Sequence, residues 1–80
     1  MNEYSFTIHG KCPHTGEWNY YQVAVMSHET IRCETLADAA NKVRGLELIQ
    51  EDMSTQLSDL IPGAVRLSGM HCGIGLTTSH

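Results

Sequence analysis

Eighty residues, 41% of them hydrophobic and 18% charged, are enough for one small domain with its own core. A formal charge of −4, with only five Lys and Arg residues, speaks against a surface that grips a nucleic-acid backbone directly. Three cysteines and an N-terminus without a basic or apolar leader pattern predict reduced thiols in a cytosolic protein. No apolar run is long enough to span a bilayer.

The first element is "EYSFTIH", residues 3–9. Tyr4, Phe6 and Ile8 alternate with Glu3, Ser5, Thr7 and His9, the period of a half-buried strand. Residues 18–26, "WNYYQVAVM", form a second strand with Tyr21, Val23 and Val25 facing inward. Gly10, Pro13 and Gly16 between them mark a turn, so the two strands make an antiparallel hairpin. A third short strand is expected at 30–34, "TIRCE", with Ile31 and Cys33 inside.

Residues 34–45, "ETLADAANKVRG", carry Leu36, Ala39, Ala40 and Val43 at helical spacing. Thr35 and Asp38 fit a capping box, and Gly45 fits the helix end. Helical period resumes over 46–61 with Leu46, Ile49, Met53, Leu57 and Leu60. That stripe lies about 90° round from the first, so a break or bend is expected at Gly45. After Pro62 and Gly63, residues 64–69 and 73–79 alternate again and predict a closing hairpin around "GMHCG". The expected architecture is an α+β domain over residues 1–80. It has an antiparallel sheet of three to five strands and one or two amphipathic helices on one face.

Two stretches bear on chemistry. "KCPHTGEW", residues 11–18, looks like a zinc knuckle whose second cysteine is replaced by Thr15, a poor ligand. Cys12 and His14 could combine with His71 and Cys72 into a Cys2His2 set suited to tetrahedral zinc, but both spacings are tight. A hairpin turn without metal or other cofactor is the plainer reading. No nucleophile elbow, phosphate loop or HExxH occurs. A cysteine–histidine pair built from Cys33 or Cys72 stays open, as it needs no sequence motif.

The second stretch follows Gly45. Glu47, Glu51, Asp52 and Asp59 lie opposite the apolar stripe, and no Lys or Arg falls between 45 and 65 to offset them. An acidic face of this kind suits docking on a basic surface. Leu48 among the acids is an exposed apolar contact if the helix includes it; otherwise the helix starts later. Tyr20, next to Tyr21 in a strand, must point away from it and is a further contact candidate.

The layout of strand, "ETLADAANKV" and return strand resembles small phage and mobile-element inhibitor proteins, anti-CRISPR proteins among them. That resemblance implies a non-enzymatic, viral-type protein that blocks a host protein or protein–nucleic-acid complex with a basic surface. It would work in the host cytosol as a monomer or homodimer, and contact neither membrane nor free nucleic acid.

Overall fold

The computed structural model describes residues 1–80. Its elements run β1 (Asn2–Lys11), β2 (Trp18–Ser27), α1 (Cys33–Val43), α2 (Gln50–Leu60), β3 (Ala64–His71) and β4 (Ile74–Ser79). The four strands form one antiparallel sheet in the order β1-β2-β3-β4. Both helices fill the connection between the central strands. They cover the face to which Ile8, Tyr21, Val23, Val25, Val65 and Leu67 point. Alternation in the sequence dictates that face, since successive strand residues point to opposite sides. The other face, with Tyr20, Met26 and Met70, carries no second layer.

The ladders differ in length, and the difference splits the sheet at one end. β1 and β2 pair over ten residues each, from Asn2 with Ser27 to Lys11 with Trp18. β3 and β4 pair from Arg66 with Ser79 to His71 with Ile74. The seam joining the two hairpins holds only Gln22–Met26 against Ala64–Ser68. Beyond Gln22 and Ser68 the hairpins part. One branch carries Trp18–Tyr21 and the other Gly69–His71.

Three local expectations are corrected. Residues 30–34 form no third strand: Ile31 is buried, but Cys33 is exposed and opens α1. The Ile31 amide is taken by the Tyr4 hydroxyl at 2.9 Å rather than by a neighbouring strand. Thr35 does not cap α1; Arg32 stands at the N-cap without a side-chain bond. The helix end is as expected, since Gly45 sits at φ +81°, a conformation that favours glycine.

The third correction concerns the start of the second helix, which is residue 50 and not 46. Residues 45–47 instead lie along the edge of β1. The Gly45 amide donates to the His9 carbonyl at 2.8 Å, and the Lys11 amide donates to the Leu46 carbonyl at 3.0 Å. Glu47 forms a parallel bridge with Lys11. A backbone used for sheet pairing cannot also wind into a helix. Leu46 and Ile49 are therefore exposed, while Leu48 packs against the core. The buried face of α2 is Gln50, Met53, Ser54 and Leu57. Neither helix is long and apolar enough to cross a membrane.

Candidate functional site

The parting of the hairpins makes a cleft of about 290 Å³. Cys12, His14, Asn19, Tyr21, Leu48–Glu51, His71 and Leu76 line it. Each arrives for a local reason. Cys12 and His14 come from the β1–β2 turn, which is closed by the Cys12 amide on the Glu17 carbonyl and the Gly16 amide on the Cys12 carbonyl, both at 2.9 Å. His71 ends β3, just before a tight turn in which Cys72 and Gly73 both have positive φ. Two positive φ values are what a two-residue hairpin turn with the right-handed strand twist requires. Gln50 and Glu51 begin α2.

Cys12 is the chemically distinctive group. Its thiol is held below the usual thiol range chiefly by the Thr15 hydroxyl, then by the amides of Thr15 and His14. Slight burial and the Glu17 carboxylate oppose this more weakly. The Glu17 amide donates to Thr15 Oγ1 at 3.2 Å, which leaves the Thr15 hydroxyl hydrogen free to point at sulfur. Hydrogen bonds to the charged form favour it. A thiolate is the nucleophilic form of cysteine, and a lowered thiol holds more of it at neutral pH.

Tyr21 forms the wall between the branches. Burial raises its phenol above the ordinary range and negative charge on Cys12 pushes the same way, against a bond with Asn19. Its ring fills the space beside Gly69, where an added Cβ would stand 2.6 Å from Cδ1. The His71 ring lies 6.2 Å from it, centroid to centroid.

The zinc reading is corrected here. Cys12, His14 and His71 do line one cleft, but no three His, Cys, Asp or Glu side chains converge closely enough to hold a metal ion. Cys72 lies exposed in the β3–β4 turn, outside the cleft lining. Adjacent residues at a strand end diverge, and His71–Cys72 does so. Cys33, at the start of α1, lines a separate groove with Tyr4, Phe6 and Leu36.

The acidic residues scatter. Glu51 and Asp52 are exposed in the first turn of α2 and Asp59 in its last, whereas Glu47 precedes the helix. None is in an ion pair; the one in the molecule joins Arg32 to Glu34 on the surface. Tyr20 is 71% exposed, but on the sheet face away from α2, near His9 and Trp18. It therefore does not share a surface with those carboxylates. Sequence reasoning placed Glu51, Leu48, Cys12, His14 and His71 among its candidates without joining the first pair to the other three. It missed Gln50, Tyr21 and Asn19 as site residues. Gln50 carried a weak signal, a polar residue one turn before the buried Met53 and Ser54.

No protein-family model matches the sequence, and no curated protein matches it. Among solved structures, the fold is similar to the crystal structure of the archaeosine synthase QueF-Like in the apo form. The TM-score is 0.84 at 13% identity, with 99% of this chain and 89% of the other covered. That likeness is to an enzyme's fold. It overturns the resemblance to anti-CRISPR and other phage inhibitors, together with the viral, non-enzymatic inhibitor function drawn from it.

Proposed function

We propose that this domain is an enzyme, or the catalytic unit of one, that uses Cys12 as a nucleophile toward a small planar heterocycle seated between the two hairpins. The observation that carries this is the placement of Cys12: a thiol at the β1–β2 turn, held below its usual range, lining a cleft together with His71, Glu51 and Asn19. Attack by the thiolate on an unsaturated ring or side-group carbon would form a carbon–sulfur bond as that carbon's π bond breaks, the electron pair passing to the adjoining nitrogen or oxygen, which then takes a proton; the cleft's polar groups line the space where the substrate would bind. The substrate class is drawn from two sources. The lining mixes apolar side chains, Leu48, Ile49 and Leu76, with polar ones, as a flat heterocycle with polar edges requires. The structurally similar protein is named an archaeosine synthase, which makes a nucleobase derivative a natural extension.

The test is competitive labelling with weak chloroacetamide electrophiles, read by peptide mass spectrometry. Cys12 is expected to react at least about tenfold faster than Cys33 and Cys72, both of which are more exposed. Probes bearing a purine-like ring should outpace an acyclic probe at Cys12 alone. Equal labelling of all three thiols, or no preference for the ring, would remove the proposal.

A further inference from the structure

Gln50 is 3% exposed and makes the densest set of side-chain bonds in the molecule. Its Nε2 donates to the Leu67 carbonyl at 3.0 Å and to the Leu76 carbonyl at 2.9 Å, with Thr78 Oγ1 at 3.4 Å. Its Oε1 lies 2.9 Å from His71 Nε2. The two carbonyls decide the amide's orientation. Turned the other way, Oε1 would face two backbone oxygens at bonding distance, with no hydrogen between them. Nitrogen must therefore point at the strands and oxygen at the histidine. An amide oxygen only accepts, so His71 Nε2 must be the donor. A neutral imidazole carries one ring hydrogen, and Gln50 holds it at Nε2. His71 Nδ1 is left as a bare acceptor, and no protein donor meets it.

We infer that Gln50 is a positioning residue that fixes His71 as an acceptor at Nδ1, making the β3 wall of the cleft a site for an N–H or O–H of the occupant. The assignment deepens the proposed enzyme reading, but its geometry stands without Cys12. A carbonyl or carboxylate presented at Nδ1 would be repelled while the imidazole is neutral. A ring N–H, an exocyclic amine or a hydroxyl would be held. Gln50 touches no substrate; it acts through the ring it holds.

The experiment is nitrogen-15 and proton NMR of His71. It is recorded in mildly alkaline buffer. In the wild type, Nδ1 should show the shift of an unprotonated ring nitrogen. Nε2 should show a bonded hydrogen that exchanges slowly enough to be seen. In Gln50→Leu the hydrogen signal should vanish and the two nitrogen shifts should move toward each other, as the tautomers begin to interchange. Cys12→Ser should leave the wild-type pattern intact, which separates this inference from the nucleophile proposal. A hydrogen on Nδ1 in the wild type would overturn it even if the Leu variant fails to fold. So would Gln50→Leu spectra identical to wild type.

Discussion

Gly69→Ala is the sharpest probe of how the cleft is built. A Cβ at this position would stand 2.6 and 2.8 Å from Tyr21 Cδ1 and Cε1, and 3.2 Å from Gln50 Oε1. Carbon atoms settle at about 3.5–4.0 Å, so the ring must retreat by roughly 1 Å. It has little room, because Tyr21 is 1% exposed and belongs to the core cluster. Overpacking of this kind costs about 1–3 kcal/mol. Replacing a strand glycine recovers about 0.5–1 kcal/mol. The net loss spans about 0–2.5 kcal/mol, centred a little above 1. For a chain of this size the centre of that range is a fall in Tm of roughly 4–8 °C. Gly75 is the control. It sits on β4, and an added Cβ there meets only Met70 Sδ at 3.6 Å, an ordinary contact. Thermal melts followed by circular dichroism compare the two. Gly69→Ala melting within about 2 °C of wild type, or no lower than Gly75→Ala, would refute the close seat of Tyr21 on β3.

Other outcomes rest on the same contacts. The rate of Cys12 alkylation should rise with pH to a midpoint below the ordinary thiol value, because the donors favour the thiolate. Thr15→Val should move that midpoint upward, and an unmoved midpoint in quenched alkylation assays would discount the hydroxyl. Ser54 is fully buried and its Oγ has no partner, so Ser54→Ala should gain about 1 kcal/mol in urea unfolding. A clear loss would mean that the hydroxyl is bonded after all. Cys72 holds φ 54° in the β3–β4 turn, where Asn before Gly is preferred. Cys72→Asn should raise Tm by a few degrees and leave the relative labelling rates of Cys12 and Cys33 unchanged.

Much of the fold could be read from residue order because the strands alternate cleanly. Tyr21, Val23 and Val25 against Tyr20, Gln22 and Ala24 set the sheet's two sides without ambiguity. Gly45 announced the break between helices because no side chain tolerates its φ as well. The start of α2 was hidden, since Leu46 and Ile49 keep helical spacing while their backbone is drawn to the edge of β1 by the Lys11 amide. Local periodicity cannot report a bond made to a residue so far back in the chain. The site was half visible. In the sequence Thr15 is the residue that spoils a zinc knuckle; in the fold its hydroxyl is the main influence lowering the Cys12 thiol. The signal at Gln50 was weak because burying a glutamine only makes sense once two strand carbonyls and a histidine surround it.

The seam between the hairpins sets where rigidity and reactivity reside. Val23 and Val25 meet Leu67 and Val65 across it, and this fully enclosed block secures the fold at one end of the strands. At the other end, the divergence of the same strands opens room for a guest without hollowing out the interior. A chain of eighty residues has no depth to excavate, so the proposed chemistry is assigned to the fork of the sheet. Tyr21 and Gln50 tie the walls of that fork to the enclosed block, which keeps the molecule intact.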